Sequence, residues 1–462
     1  MTVGRGRPAI GLGHALLTVG LILLGCEQAQ EEAGGQAPAT RSARPDAELE
    51  GLRQAAAATG STACPAVTAG LGPHRGALYY ASSTGDGTGL LATTPGRLET
   101  ILEQLVPGDT VIALAGDYGS VKWPEGVSGR ADAPITLRAD HQAVTITGEP
   151  PDLVAKPVAA EQRTTLSLAL HDIESVRIEG IYGRIEVEGG GNIELRGNHH
   201  FENPGQNLQL FDVDAVSVHH SLFENYRLKP GSDQDWHTDY GIAAYVQTRL
   251  AVHHNLFSGG FNHAISLKER NHDVTISCNR FVNCGRHCLE LGQQTDGRAP
   301  GQTPNDRTSS RVLVQNNLIE KTEDRLVNAD FAVMIMNVDD IELVNNRFAG
   351  FDYSVLVSSY WAPSYCSDLG EAMSQVGVVP DFVRLADNEF RGETDLRFTG
   401  RGVEGDLIEA SGMGGPVSCE VRTLAPITCE DACCRWDPKP ATEAAPTVRV
   451  YDRSLTCEAE SW

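Results

Sequence analysis

Positive charge is scarce in this chain. Its 462 residues contain 37 Lys and Arg against 61 Asp and Glu, which gives a formal net charge of −24 at pH 7. Nucleic-acid binding needs a basic surface for the phosphates, so this balance argues against a nucleic-acid partner. Beyond residue 26 there is also no apolar run of the ~20 residues that a membrane-spanning helix needs. Helical periodicity is missing between the repeats of residues 193–390, which argues against a helical solenoid.

What these residues do contain is a recurring phrase, apolar-x-apolar-x-x-Asn-x-apolar. The alternating apolar residues indicate a strand with one buried face, and the Asn indicates a turn with left-handed backbone angles. A fixed phrase at unequal spacing is typical of a solenoid whose coils share one corner and differ in their loops. Asn side chains stacked on successive coils can hydrogen-bond to each other in a ladder. The anchor residues are Asn198, Ser221, Asn255, Asn279, Asn317, Asn346 and Asn388.

We therefore predict an all-β fold, a right-handed parallel β-helix over residues 63–398. The segment from residue 78 to 148 adds an amphipathic stretch, Pro95 to Val106, with its Leu and Ile residues on one face. Together with the run Pro107-Gly-Asp-Thr-Val111, this segment resembles the N-terminal part of pectin-lyase-like β-helix proteins. The resemblance extends over about residues 78–390, and it implies that the helix caps the open end of the solenoid.

The first 26 residues are interpreted as an export signal. Arg5 and Arg7 precede a largely apolar stretch that is too short to span a bilayer. With the run Leu23-Leu-Gly-Cys26 it resembles a bacterial lipoprotein signal, which implies a lipid anchor at Cys26 and a location in the bacterial cell envelope. Glu27 after the Cys fits release toward an outer membrane. An ordinary signal peptide is the alternative.

Residues 27–62 are rich in Ala, Gly, Gln and Glu and are predicted to form a flexible tether. At the other end, we predict a disulfide-rich C-terminal cap or small module over residues 399–462, because even numbers of Cys in exported chains indicate disulfides. Zinc at Cys429-x3-Cys433-Cys434 is disfavoured because no His lies nearby. One pair among Cys278, Cys284 and Cys288 is also expected to form. The cysteines toward the C-terminus are Cys366, Cys419, Cys429, Cys433, Cys434 and Cys457.

A candidate active site emerges when the strands preceding each phrase are aligned. Positions equivalent to Ile265 and Leu267 are apolar throughout and are expected to face the core, so the intervening positions face outward. Two neighbouring coils then concentrate titratable groups on their outer surface. At the position equivalent to Glu290, the two later coils carry the apolar residues Met334 and Leu356. The predicted catalytic residues are Lys268, His263, His287, Glu290, Arg270 and Arg286.

A polar loop precedes these strands. Its carboxylates, Asp233, Asp235 and Asp239, could supply oxygen ligands to calcium, and Trp236 could stack on a sugar ring. His237, Tyr240 and Tyr245 complete the predicted substrate-binding set. The alternative interpretation is a solvated acidic loop rich in turn-forming Asp. The pairs His219-His220 and His253-His254, at the repeat corner, are expected to be corner residues rather than ligands.

The run His263-Ala-Ile-Ser-Leu-Lys268 also resembles the alginate-lyase and chondroitinase-B family of β-helix lyases. That resemblance implies Lys268 as general base in the β-elimination of a uronate-containing polysaccharide. The family's assisting Arg is replaced by Glu290, and its two acidic calcium ligands fall at Phe261 and His263.

Three functions stay open from the sequence. A lyase would use Lys268 or neutral His263 as base, with Arg270, Arg286 or a metal to neutralise the substrate carboxylate. A glycoside hydrolase would pair Glu290 with Asp239. A tethered glycan- or protein-binding solenoid would leave Lys268 and Glu290 as a surface ion pair. We expect a monomer, because a capped solenoid has no free strand edge.

Overall fold

The computed structural model describes the solenoid and leaves both ends of the chain and several loops undescribed. The described ranges are residues 76–201, 205–225, 240–268, 270–293, 309–322, 331–336, 338–357, 382–392, 394–400, 407–415, 417–423, 447–450 and 457–461. The predicted signal, Cys26 and the tether lie outside them, so the lipoprotein interpretation stays a prediction. Within these ranges, no helix has the length and apolar character needed to cross a bilayer.

The described chain is almost entirely β-strand. It contains one short α-helix, α1 (Leu98–Leu102), and a 3-10 turn at Ala160–Gln162. The strands are β1 (Leu78–Ala81), β2 (Thr110–Ala113), β3 (Gly116–Lys122), β4 (Ile135–Ala139), β5 (Val144–Thr147), β6 (Val154–Pro157), β7 (Thr164–Glu179), β8 (Ile185–Arg196), β9 (His199–Phe201), β10 (Gln206–Phe211), β11 (Asp214–His219), β12 (Leu222–Asn225), β13 (Tyr240–Tyr245), β14 (Thr248–His253), β15 (Leu256–Gly259), β16 (His263–Lys268), β17 (His272–Ser277), β18 (Arg280–Val282), β19 (His287–Gln293), β20 (Ser309–Gln315), β21 (Leu318–Glu320), β22 (Phe331–Ile335), β23 (Val338–Val344), β24 (Arg347–Ala349), β25 (Tyr353–Val357), β26 (Phe382–Ala386), β27 (Glu389–Arg391), β28 (Thr394–Gly400), β29 (Leu407–Ser411), β30 (Val417–Thr423), β31 (Thr447–Val450) and β32 (Cys457–Ser461).

All of these strands except β5 and β6, which pair antiparallel with each other, form three parallel ladders that run along the solenoid. Ladder A contains β3, the first halves of β7 and β8, then β10, β13, β16, β19, β22, β25, β28, β30 and β32. Ladder B contains β1, β2, β4, the second halves of β7 and β8, then β11, β14, β17, β20, β23, β26, β29 and β31. Ladder C contains β9, β12, β15, β18, β21, β24 and β27. Successive coils therefore stack in register, and the predicted parallel β-helix is confirmed.

The repeated phrase is the passage from ladder B to ladder C. Its two alternating apolar residues are core residues of ladder B, and its final apolar residue points inward from ladder C. In ladder C that last position stacks aromatic rings, with centroids of Phe223 and Phe257 4.6 Å apart and those of Phe257 and Phe281 4.8 Å apart. Offset ring stacks of this kind add to the burial of apolar area.

The side chains of the anchor Asn residues form the expected hydrogen-bonded column. Asn279 accepts hydrogen bonds from the backbone N and the Nδ2 of Asn255, each 3.0 Å, and its own Nδ2 donates to Asn317 Oδ1 at 3.1 Å. The same pattern continues through Asn346 to Asn388. The corner is therefore a buried hydrogen-bonded column in which each amide satisfies backbone groups of the preceding coil.

The backbone strain lies one residue earlier than expected. The left-handed angles belong to the residue before each anchor, for example His220 (φ 52°), His254 (φ 54°) and Asn316 (φ 55°). The anchor Asn contributes its buried, hydrogen-bonded amide, and the residue before it makes the turn. The prediction that Asn itself adopts the left-handed angles was wrong.

At the N-terminal end, α1 is shorter than the predicted Pro95–Val106. Its Leu98, Ile101 and Leu102 are nevertheless buried in the main core with Leu105, as the amphipathic pattern indicates. Beyond residue 398, β30 and β32 extend ladder A while β29 and β31 extend ladder B. The described strands of this part therefore stack on the solenoid. Cys366, Cys429, Cys433 and Cys434 lie outside the described residues, so the disulfide-rich cap stays a prediction.

One predicted disulfide is present. Cys284 and Cys288 are bonded, and they close the turn that leads into β19. The bond joins two residues flanking Arg286 and His287 rather than two coils. It therefore constrains the backbone that carries two of the predicted site residues.

Candidate active site

The predicted site residues lie on three adjacent strands of ladder A. Tyr240 of β13 is opposite His263 of β16, which is opposite His287 of β19; Ser266 is opposite Glu290. This is the register expected from the sequence. One detail differs, because a bulge after Leu267 places Lys268 opposite Gln293 instead of Gly292. The bulge shifts Lys268 relative to the strand that carries Glu290.

The outward face carries its own cluster, separate from the core. Tyr240, Ala243 and Tyr245 group with Phe211 and Val246 rather than with the main core. The sequence suggested that the outward-facing site residues are exposed, but they are nearly buried. Glu290 is 3% exposed, Lys268 and Tyr240 are 7% exposed, and Tyr245 is 8% exposed. The more exposed members of the cluster are Phe211 and Val246, which are half-buried, while Lys268 and the two Tyr rings keep only a small residual exposure.

Lys268 and Tyr240 form the first contact pair of the site. Lys268 Nζ donates to Tyr240 Oη at 3.0 Å and lies 4.3 Å from the centre of the same ring. It also lies 5.7 Å from the centre of the Tyr245 ring. Burial raises the pKa of Tyr240, and the negative charge of Glu290 adds to this effect. The phenol therefore holds its proton more firmly than an exposed Tyr does.

Glu290 forms the second contact pair. Its carboxyl group accepts from Ser266 Oγ at 2.6 Å and contacts His263 Nε2 at 3.3 Å. Burial raises the pKa of Glu290, although the Lys268 charge and the Ser266 hydrogen bond oppose the increase. The Glu290 carboxyl group therefore holds its proton more firmly than an exposed Glu does. The alternative of an exposed Lys268–Glu290 surface pair is wrong, since both side chains are nearly buried and contact other partners.

An aromatic column connects the strands. The rings of Tyr240 and His263 stack with centroids 5.4 Å apart, and those of His263 and His287 follow at 5.2 Å. Phe331 and Tyr353 continue the column on the next two coils. Equivalent positions on successive strands thus hold the site histidines by ring contact, which limits their rotation.

The two candidate arginines are placed differently. The charge of Arg286 acts on Tyr240, His287 and Glu290, so this side chain belongs to the electrostatic surroundings of the site. Arg270 follows β16 in a left-handed turn, and its charge acts on His272 of ladder B. The structure thus brings Arg286 together with the cluster and does not place Arg270 there.

Asn262 is a site residue that the sequence did not reveal. It is buried directly before β16, and its side chain hydrogen-bonds to Tyr240. Tyr245 instead accepts from Gln206 Nε2 at 3.1 Å. Asn262 lies outside the repeat phrase, and only the three-dimensional stacking of two coils places it beside Tyr240.

Calcium finds no support among the described residues. At the two positions where the resembled family has acidic ligands, Phe261 is fully buried in the core and His263 contacts Glu290. Neither residue fits a cation that requires oxygen ligands. The other predicted ligands, Asp233, Asp235 and Asp239, lie outside the described residues, as do Trp236 and His237. The reaction proposed for this site uses no metal.

The buried His287 predicts a pH dependence of stability. Burial lowers its pKa from 6.5 to about 3, and the Arg286 charge contributes. The unfolded chain therefore binds a proton in this interval that the folded protein does not bind. The contribution of neutral His287 to the free energy of unfolding is fully present above about pH 6.5, and it decreases as the pH falls toward 3. We expect His287→Phe to weaken this dependence, because Phe331 occupies the equivalent position on the next coil.

Urea unfolding at several pH values between these limits measures the effect. His171→Gln, at a partly exposed position, serves as the control and should keep the wild-type dependence. An unchanged slope in His287→Phe would contradict the assignment of acid sensitivity to this residue.

Comparison with known proteins agrees with the fold. Residues 167–299 match the family model described as a right handed beta helix region. No sequence among the curated proteins matches the chain. Similar solved structures include pectate lyase Pel9A, with 12% identity over 76% of this chain and 78% of that chain and a TM-score of 0.44.

Two further structures show a comparable likeness. An alginate lyase from Paenibacillus sp. str. FPU-7 has 12% identity over 74% of this chain and 97% of that chain, with a TM-score of 0.42. An endo-xylogalacturonan hydrolase from Aspergillus tubingensis has 11% identity over 83% and 100%, with a TM-score of 0.44. The activities in these names belong to those proteins. The matched region and the three parallel ladders identify the solenoid as a right-handed parallel β-helix.

Proposed function

We propose that the protein is a polysaccharide lyase that cleaves a uronate-containing glycan by β-elimination. The observation that carries the proposal is the 3.0 Å contact between Lys268 Nζ and Tyr240 Oη on the outward face of ladder A. Elimination needs a base for the proton α to the carboxyl group and an acid for the leaving oxygen. A Lys and a Tyr in direct contact supply both roles from one place.

In the proposed cycle, neutral Lys268 takes the proton from the carbon next to the substrate carboxylate. The bond from the β-carbon to the leaving sugar oxygen breaks, a carbon–carbon double bond forms, and Tyr240 gives its proton to that oxygen. The proton on Lys268 then passes to the Tyr240 phenolate across their contact, which restores both groups. No water is consumed. The raised pKa of Tyr240 keeps the phenol protonated until the leaving oxygen requires the proton.

Negative charge that develops on the substrate carboxylate needs positive or proton-donating neighbours. Arg286 is the cation whose charge already acts on Tyr240 and Glu290. In a chain of net charge −24, Arg286 gives the carboxylate of an anionic sugar a cation to bind.

A glycoside hydrolase is the second candidate, and the raised pKa of Glu290 favours it. A protonated carboxyl group is what a hydrolase uses as general acid. Its expected partner, Asp239, lies outside the described residues. The Lys268–Tyr240 pair has no role in that chemistry, which is why the lyase is preferred. Either enzyme is proposed to work in the bacterial cell envelope, anchored at Cys26 through residues 27–62.

The test is a panel of acidic polysaccharides, rich in mannuronate, guluronate, galacturonate or glucuronate, incubated with the purified protein. A lyase produces an unsaturated uronate that absorbs in the ultraviolet, with one new reducing end for each double bond. Reducing ends without this absorbance would show a hydrolase. Binding without any product on the whole panel would show a non-catalytic solenoid and end the enzyme proposal.

A further inference from the structure

Four histidines form an array at a different corner of the solenoid. His219 and His220 end β11, and His253 and His254 occupy the same positions one coil later, at the end of β14. The rings of His219 and His253 stack with centroids 4.9 Å apart, and those of His220 and His254 at 5.1 Å. This corner joins ladders B and C, whereas the candidate active site lies on ladder A. The array has no part in the proposed elimination.

The turn brings the nitrogens of each pair together. His220 and His254 have left-handed backbone angles, and within each coil the two Nδ1 atoms lie 2.9 Å apart. Two nitrogens bound at ~2.05 Å to one ion at a right angle are about 2.9 Å apart. Each pair therefore already has the spacing of neighbouring ligands on a square-planar or octahedral ion.

Two carboxylates hydrogen-bond to the Nε2 atoms of two histidines of the array. His219 Nε2 lies 3.0 Å from Glu194 Oε1, and His254 Nε2 lies 3.1 Å from Glu149 Oε1. Arg177 Nε contacts the other oxygen of Glu194 at 2.7 Å, which keeps that group ionised. Since an ionised carboxylate only accepts, each Nε2 carries the proton and each Nδ1 keeps its lone pair. A carboxylate on the remote nitrogen is the arrangement that orients metal-binding His.

We propose that His219, His220, His253 and His254 form a binding site for a divalent transition-metal ion that prefers imidazole ligands, of the Cu²⁺ and Ni²⁺ class. One Nδ1 pair supplies two ligands, and the stacked pair on the next coil completes the set. The stacked rings of the two coils are nearly parallel, with interplanar angles of 4° and 6°, so the rings must turn toward a shared ion when it binds. His220 and His253 bind by moving their Nδ1 proton to Nε2 or to solvent.

A neighbouring trio does not provide a better site. Glu149, His254 and Cys278 have ligand atoms within 4.8 Å of one another. Cys278, however, is disulfide-bonded, so it offers no thiolate. The four-histidine array needs no cysteine and uses only buried or half-buried rings.

The chain itself supplies conservative substitutions for a test. Later coils carry Gln315 and Asn316 at the positions equivalent to the His pair. The variant with His219→Gln, His220→Asn, His253→Gln and His254→Asn therefore keeps side chains that this corner accommodates. The matched control is His141→Gln with His171→Gln, two histidines with partly exposed side chains outside the array.

Copper titration of the full chain, purified without a histidine tag, measures binding. We expect saturable Cu²⁺ binding in the wild type and the control, and a loss of at least about 100-fold in affinity in the four-site variant. Glu194→Gln should weaken binding about 10-fold, as expected for a carboxylate that orients a ligand. Electron paramagnetic resonance of the copper-loaded wild type should show at least two coordinated imidazole nitrogens.

Absence of saturable binding in the wild type, or equal binding by the four-site variant, would overturn the proposal. Should that variant fail to fold, the resonance spectrum of the wild type and the Glu194→Gln titration decide the question. Fewer than two imidazole nitrogens, or an unchanged affinity in Glu194→Gln, also counts against the site.

Discussion

Replacing Asn279 by Ala is expected to lower the free energy of unfolding by about 3 kcal/mol, because it leaves two buried backbone groups without partners. Asn279 is fully buried and accepts from the backbone N of Asn255 at 3.0 Å. Its Nδ2 donates to the carbonyl oxygen of Val252 at 2.9 Å. Alanine satisfies neither group.

Denaturant unfolding of the wild type and the variant gives the difference. Asn279→Ser is the matched control, since Ser221 occupies the equivalent position and its Oγ accepts from the backbone N of Asn198 at 3.1 Å. The Ser variant should fall between the wild type and the Ala variant. A loss below about 0.5 kcal/mol in Asn279→Ala, the level of an ordinary surface substitution, would mean that the column does not stabilise the solenoid.

Lys268→Ala is expected to reduce kcat by roughly 100-fold to 10,000-fold on the preferred polysaccharide, the usual contribution of a positioned acid or base. Its Nζ is the proposed base and also returns the proton to Tyr240. Tyr240→Phe should cause a comparable loss in kcat, because it keeps the ring stacked on His263 and removes only the hydroxyl. Since the two groups work as one unit, the double variant should lose little more than either single variant.

Initial rates of unsaturated product, with kcat and KM determined separately, measure this prediction. Lys122→Ala is the matched control, an exposed Lys on β3 of the same ladder, and it should keep wild-type kinetics. Lys268→Ala with wild-type kcat would remove Lys268 from the chemistry. Far-ultraviolet circular dichroism confirms that each variant retains the β-helix.

The fold was predictable because its signal is local and repeated. Each apolar alternation and each anchor Asn lies within a phrase of eight residues, and the structure stacks them in the expected order. The register of the site strands followed from the same alignment, with His263 opposite His287 and Ser266 opposite Glu290. Details that depend on neighbouring coils were not predictable. The bulge after Leu267 is one example, and the left-handed angle on the residue before each Asn is another.

The site was predictable in its members and less so in its contacts. Alternation along a strand shows that Lys268 and Glu290 point away from the core, but it does not show what covers them. A surface Lys268–Glu290 ion pair, which belonged to the alternative of a non-catalytic solenoid, is not present, because both side chains are buried and hydrogen-bond to Tyr240 and Ser266. Asn262 was missed for the same reason, since it meets Tyr240 only across coils.

The most direct test of the proposed elimination is cleavage in water enriched in heavy oxygen, followed by mass spectrometry of the products. β-Elimination by Lys268 and Tyr240 consumes no water, so we expect unsaturated products that carry no label from the cleavage. Saturated products with one labelled oxygen per cleavage would contradict the proposal and show that the site hydrolyses its substrate.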